Sequence, residues 1–225
     1  MKNLCVIPAR GGSKRIPKKN IKKFLGKPII SYSIDVAKNS GLFDEVIVST
    51  DDDEIKNIAQ SFGAKVPFMR SETSANDFAT LSDVLEEVKE YYEKIDVIFD
   101  NICMILPTAP FVTVDLLQQS FNLLKGSEVD SVRPIVRFSY PIQRSLKRNA
   151  DGLVEMISPK YRNTRSQDLE PAFHDSGMFY FMKWDKGLAG ENKYGIEISE
   201  IECHDIDTAD DWAMAEFKFK YLNQL

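Results

Sequence analysis

Cysteine and histidine are scarce: the 225 residues hold three of the former (Cys5, Cys103, Cys203) and two of the latter (His174, His204). An odd number of cysteines, each within an apolar segment, points to reduced core thiols and away from a disulfide framework or a metal cluster. With so few imidazoles, neither a Cys-His nor a Ser-His-Asp nucleophilic site is expected. Long hydrophobic runs are missing too. No segment approaches the ~18–20 apolar residues of a membrane span, and Leu4–Ile7 is far shorter than a signal-peptide core, so a cytoplasmic protein with no membrane partner is expected. Glycine (11) and proline (10) are too sparse, and hydrophobic residues at 43% too plentiful, for a disordered or collagen-like chain. The most informative absence is local. Met1 to Lys27 contains no aspartate or glutamate, but nine of the 29 Lys and Arg. The rest of the chain then carries 20 basic against 34 acidic side chains, −14 where the whole is −5.

Short apolar runs alternate with helical patterns, the signature of βαβ units and a mostly parallel sheet in one domain spanning residues 1–225. Strands are predicted at Asn3–Ile7, Glu45–Ser49, Lys65–Phe68, Asn101–Leu106 and Ser131–Val136. Helices are predicted at Ser31–Asn39, Asp53–Phe62, Leu81–Lys94 and Val114–Leu124, three of them closed by Gly41, Gly63 and Gly126. Beyond residue 136 the alternation breaks into Pro141, Asp151-Gly152, Pro159 and Pro171, with strand-like pieces at Ile142–Leu146 and Leu153–Met156, so an inserted arm is expected at about 133–171. A last unit returns with Met178–Met182, Ile196–Ile201 and a helix over Ala209–Tyr221. The expected class is α/β, a doubly wound, mostly parallel sheet.

Directly after the first strand comes Pro8-Ala-Arg-Gly-Gly-Ser-Lys-Arg-Ile-Pro-Lys-Lys-Asn20. In an open α/β sheet, ligands gather at the carboxyl ends of the strands, where this loop lies. Gly11 and Gly12 let the backbone approach a phosphate closely, and Arg10, Lys14 and Lys19 can answer several negative charges at once, which suits a triphosphate. The loop is neither the P-loop nor the Gly-x-Gly-x-x-Gly dinucleotide turn. Two blander readings compete. A targeting peptide is opposed by two prolines and two glycines, which spoil an amphipathic helix. A nucleic-acid patch is opposed by the lack of aromatic residues among the charges, so no nucleic-acid partner is expected.

The stretch Ile7 to Asn20 is similar to the opening motif of the cytidylyltransferases that activate nonulosonic (sialic-type) acids as CMP derivatives. The resemblance extends through Gly26-Lys-Pro28, Val48-Ser-Thr-Asp51, Pro107-Thr-Ala-Pro110 and His204-Asp-Ile-Asp-Thr208. It implies a Rossmann-like nucleotidyltransferase fold, CTP and an anionic nine-carbon sugar acid as substrates, Mg²⁺ as cofactor, and a homodimer formed by exchange of the arm. By the same resemblance, Ala9, Arg10, Gly12, Ser13, Lys19 and Asn20 contact CTP, and Arg10 and Lys19 also act in catalysis.

Four further constellations have two readings each. Arg70 and Thr80 read alone as a surface arginine and a helix cap, Thr80 with Asp83 fitting the capping pattern; the resemblance makes them nucleotide contacts. Leu106 stands where sialic acid enzymes carry a glutamine that holds the sugar, so a different acceptor is expected. The polar run Tyr161–Gly177 reads alone as an exposed loop. Yet Arg165 can bind a carboxylate bidentately while Gln167, Asp168 and His174 address hydroxyl or acetamido groups. Together with Gln143 and Asp175, this run most resembles the subgroup acting on pseudaminic acid; His174 by itself reads as structural. Finally, Asp205 and Asp207 share a face of an extended segment and can jointly hold a divalent cation beside phosphate oxygens. Capping is the alternative, but Thr208 with Asp211 already supplies it.

The expected chemistry is attack of the sugar's anomeric hydroxyl on the α-phosphorus of CTP, with Arg10, Lys19, Asp205 and Asp207 as the catalytic set. The competing readings are a cytidylyltransferase for N-acetylneuraminic, legionaminic or keto-deoxy-octulosonic acid, and a sensor that binds CTP without turnover.

Overall fold

Six consecutive residues, Asn3–Pro8, are buried along their whole length, as befits a strand covered on both faces. This strand, β1, lies near the middle of the main sheet in the computed structural model, which describes residues 1–126 and 128–224. The other elements are β2 (Lys23–Phe24), β3 (Lys27–Pro28), α1 (Ile29–Asn39), β4 (Glu45–Ser49), α2 (Asp53–Ser61), α3 (Glu72–Ala75), α4 (Leu81–Lys94), β5 (Asn101–Ile105), α5 (Val114–Gly126), β6 (Ser131–Arg137), β7 (Leu146–Arg148), β8 (Val154–Met156), β9 (Phe173–Asp175), β10 (Phe179–Lys183), β11 (Lys193–Ile198) and α6 (Ala209–Asn223).

The sheet runs β11-β6-β10-β5-β1-β4, with β9 paired to β6 outside that path. β4, β1, β5, β6 and β11 point one way; β9 and β10 oppose them. Side chains alternate between faces with period two. Cys5, Ile7, Cys103, Ile105, Phe179 and Phe181 meet residues of α1, α2, α5 and α6 in one apolar layer. Leu4, Val6, Ile102, Met104 and Met182 meet Leu85, Val88 and Tyr92 of α4 in the other. The fold is therefore α/β with helices on both faces and a mostly parallel sheet. The three cysteines are buried free thiols, and burial raises the pKa of each.

Several expected elements shift. Lys65–Phe68 forms no strand; it touches the edge of β4 through isolated bridges at Lys65 and Met69, because Pro67 lacks the N–H a ladder needs. Ile142–Arg144 closes as a single 3-10 turn ahead of β7, and β11 starts earlier than expected and stops at Ile198, where Ser199 and Glu202 cap another 3-10 turn. The reversal at β10 has a topological cause. The chain leaves the sheet after Arg137 at its carboxyl edge, makes its excursion, and re-enters from that same edge, so the returning strands run against β6.

The excursion carries the β7-β8 hairpin, turned at Gly152 (φ 88°), with Leu146, Leu153, Val154 and Ile157 exposed. Its residues 133–137 belong to β6, and the remainder stands off the sheet. At the sheet's centre, Phe181 is fully buried and its ring meets Phe43 and Phe121, each at 5.6 Å. Phe181→Ala is expected to cost about 3–5 kcal/mol, measured as a lower urea midpoint with an unchanged slope.

Candidate active site

At the end of β1 the chain turns under tight control. Ala9 N–H donates to Ser49 O (2.9 Å), and Gly11 N–H donates to the Asp51 carboxylate (2.9 Å). A Cβ at Gly11 would lie 2.7 Å from the Asp52 carboxylate, so only glycine fits there, whereas nothing lies within 4 Å of one at Gly12. Ser13 N–H donates back to Gly11 O (2.9 Å). Lys18 takes a left-handed conformation (φ 52°) and opens a single 3-10 turn over Lys19–Ile21. Asn20 is buried and donates to Arg10 O (2.9 Å), pinning the two ends of the loop together. Asn20 thus helps to fix the loop's shape while also lining the cleft.

Each loop cation faces a carboxylate. Arg10 donates to Asn76 O (3.0 Å) and to Asp77 (3.1 Å), and Lys14 also pairs with Asp77. Lys14 first, then Arg10, holds the Asp77 carboxyl below the usual carboxylate range. Lys18 pairs with Glu54. Lys19 donates to Ile206 O (2.7 Å) and to Asp207 (3.3 Å), which Arg15 also meets at 2.8 Å. Between these groups lies a cleft of about 410 Å³ lined by Arg10, Ser13, Lys19, Leu106, Thr108 and Asp207 among others. Two larger hollows, of about 830 and 740 Å³, lie along α5, β11 and α6 and contain no lysine or arginine. Of these three, only the smaller cleft offers cations to an anion.

The segment before α6 is extended at Cys203, and it buries Ile206 while Asp205 and Asp207 reach outward. Capping of α6 is the work of Asp211, which accepts from Asp207 N, Thr208 N and Thr208 Oγ1 at 3.1, 2.7 and 2.8 Å. These bonds, those from Thr208 foremost, keep the Asp211 carboxyl below its ordinary range. Asp205 and Asp207 are left free of that duty. Among the described residues no group of three or more His, Cys, Asp or Glu converges. Two carboxylates still fit Mg²⁺, which is commonly held by one or two carboxylates, water and substrate phosphates.

The sequence profile of the cytidylyltransferase family matches residues 4–192. The chain belongs to the cytidylyltransferase family. It is 41% identical to a pseudaminic acid cytidylyltransferase of Campylobacter jejuni, over 98% of this chain and 97% of that one. A CMP-N,N'-diacetyllegionaminic acid synthase of Legionella pneumophila is 32% identical, over 100% and 98% of the two chains. In three dimensions, CMP:2-keto-3-deoxy-manno-octonic acid synthetase complexed with CTP superposes with a TM-score of 0.70 at 20% identity, covering all of both chains, a likeness of fold.

In this cytidylyltransferase, the two residues expected to read the base and ribose hold scaffold positions. Arg70 is buried; its Nε donates to Ser49 Oγ (3.0 Å) and its NH2 to Ser49 O (2.5 Å), tying the end of β4. Burial lowers its pKa to about 10, against the pull of Asp51 and Glu87, so it remains charged at neutral pH. Thr80 is the N-cap of α4 and forms a full capping box with Asp83. The capping reading of Thr80 holds as geometry, whereas Arg70 is no surface arginine: it is buried against Ser49.

None of the residues expected to hold the sugar lines the cleft, and they divide into two groups. Gln143, Arg165, Gln167 and Asp168 lie on the excursion. Gln143 donates to Glu170 O (2.7 Å), and Arg165 makes a two-pronged bond to Asp168 (2.7 and 3.1 Å), so both are satisfied within the arm. His174 donates from Nδ1 to Asp175 O (2.9 Å) and lies 4.9 Å from the Phe138 ring. Asp175 belongs to the sheet, accepting from Gly177 N (2.8 Å) and pairing with Arg133 (3.2 Å). Three residues were not foreseen: Arg15, which lines the cleft and meets Asp207, and Arg133 with Tyr180, which stand beside Asp175. A charged residue inside the apolar run Ser131–Val136 was the available signal for Arg133.

Asp77 competes with any phosphate for Arg10 and Lys14. Asp77→Asn should therefore tighten binding of inorganic pyrophosphate roughly two- to fivefold at low salt, with the gain fading as salt rises. Isothermal calorimetry reads this directly, and pyrophosphate has no ribose for Asp77 to touch. Weaker or unchanged binding would refute the competition.

Proposed function

We propose that this cytidylyltransferase transfers CMP from CTP to the anomeric hydroxyl of a nonulosonic acid, pseudaminic acid in the first instance, and releases pyrophosphate. The observation that carries the reading is the meeting at Asp207: Lys19 and Arg15, from the phosphate-suited loop, close on one carboxylate of the cation-suited pair. The acceptor follows from the relative at 41% identity over nearly the whole chain and from Leu106 at the cleft wall, where an apolar side chain offers a sugar no hydrogen bond.

In the proposed reaction the hydroxyl oxygen bonds to the α-phosphorus in line, the bond to the β-phosphate bridge breaks, pyrophosphate carries off the electron pair, and the hydroxyl proton passes to water. Gly11 and Gly12 bring the backbone close to the phosphates, and Ala9, Ser13 and Asn20 keep the loop in that shape. Arg10 and Lys19 exchange their carboxylate partners for phosphate oxygens and offset the charge growing on the leaving group. Arg70 and Thr80 set the wall on which cytosine and ribose rest. Asp205 and Asp207 would hold Mg²⁺, which when bound supplies positive charge at the phosphates. Asp207 becomes available as Lys19 and Arg15 turn to the triphosphate.

We further place the excursion at a homodimer interface. Leu146, Leu153, Val154 and Ile157 are exposed on one hairpin, which favours burial against a second copy. Gln143, Arg165, Gln167 and Asp168 would then meet the sugar acid as part of an exchanged arm, and His174 would meet it from β9 of the sheet. Among the described residues no helix is long and apolar enough to cross a membrane, and the cytoplasm, where CTP is at hand, is the proposed location.

Pyrophosphate release from CTP and Mg²⁺ with a panel of pseudaminic, legionaminic, N-acetylneuraminic and keto-deoxy-octulosonic acids tests the reading. Turnover is expected to be highest with pseudaminic acid; CTP binding without release for any acid would mark a sensor instead. Lys19→Ala should lower kcat/KM by about 10²–10³-fold with the melting temperature nearly unchanged, and a fully active variant would remove Lys19 from its role. Asp207→Asn should move the Mg²⁺ titration of activity to higher concentration, so superimposable curves would exclude that site.

A further inference from the structure

The sugar acid brings a carboxylate, and the site built so far offers it no settled partner inside the sheet. Arg165 is 72% exposed, and both prongs of its guanidinium are on Asp168. Arg133 is different. It stands on β6, its side chain is 21% exposed, and its guanidinium lies 4.8 Å from the centre of the Tyr180 ring. Phe181 faces Val132 across the β6-β10 ladder, which sets Tyr180 beside Arg133. Asp175 takes NH1 at 3.2 Å, while Nε is buried with no hydrogen-bond partner. Ser176, next along the chain, likewise buries an unpartnered Oγ.

Such orphans are uncommon, and they matter most where a ligand can complete them. The place is also right. Leu106 N–H donates to Met178 O (2.9 Å), so the start of β10 adjoins the Leu106-Pro107-Thr108 wall of the cleft. A Cβ at Gly177 would lie 4.0 Å from the Asp205 carboxyl carbon, and Asp205 is continuous through Ile206 with the Lys19 contact. Burial, followed by the charge of Asp175, raises the Tyr180 phenol to about 12, so it stays a neutral donor beside these carboxylates.

We propose that Arg133, oriented by Asp175 and backed by the Tyr180 ring, binds the carboxylate of the sugar acid through the guanidinium N–H groups that Asp175 leaves open. A guanidinium stacked on a ring and held at one nitrogen presents its fork in a fixed direction, which a planar carboxylate matches and an ammonium does not. This assignment rests on the transferase reading above and gives it a carboxylate anchor within one chain, distinct from Arg165 on the arm.

The test compares wild type with R133A, R133K and R165A in pyrophosphate release, using pseudaminic acid and its carboxamide analogue with CTP and Mg²⁺. R133A should raise KM for the acid roughly 10- to 100-fold while KM for CTP changes less than about twofold, and R133K should fall between R133A and wild type. Wild type should prefer the acid over the carboxamide, and R133A should lose that preference while R165A keeps it. Melting curves of R133K report that the fold persists. An R133A variant that still prefers the acid, or whose KM for CTP rises in step, overturns the assignment and leaves the transferase reading standing. A wild-type protein inactive with every acid overturns both.

Discussion

The site depends on one contact that spans the chain. Lys19 reaches across 187 residues of sequence to the Ile206 carbonyl, and its ammonium also touches the Asp207 carboxylate. The two side chains are half-buried there, so the interaction is screened less than the more exposed pairs of the loop. It joins the end of the first strand to the segment before the last helix. Arg15 reinforces it with a second link from the loop to Asp207 (2.8 Å).

The same contact explains how a chain of net charge −5 can take two anions. Each loop cation is held against a carboxylate of the acidic remainder, Asp77, Glu54 or Asp207, so the loop does not present bare positive charge. These exposed pairs are weak and exchangeable. In the proposed reaction a triphosphate displaces them and frees Asp207, which would link nucleotide binding to the proposed cation pair through Lys19 and Arg15.

Much of the site could be read directly. The loop from Pro8 to Asn20, the outward pairing of Asp205 and Asp207 about buried Ile206, and the two capping boxes all follow from local rules, and the structure places each as those rules require. Other roles resisted reading for a physical reason. Thr80 and Arg70 satisfy their polar groups within the scaffold, and nothing in their sequence neighbourhood distinguishes a cap or a strand tie from a ligand contact. Arg165 finds a partner three residues away, a local solution that hides any distant one. Arg133 lies within a strand, and its partners Asp175 and Tyr180 come from the far side of the excursion.

By itself the sequence determined the α/β class, the main strands β1, β4 and β5 and helices α1, α2, α4 and α5 of the first half, the glycine-bearing basic loop and the family. Those features are encoded by hydrophobic period, glycine placement and contiguous motifs, which need no knowledge of distant neighbours. Only the tertiary structure decided that β10 runs against β5 and β6, that Arg15 and Lys19 share Asp207, and that Arg133 rests on Tyr180. Each of these depends on where an excursion re-enters the sheet or on a contact across tens to hundreds of residues, and such pairings are set by the packing of the whole core.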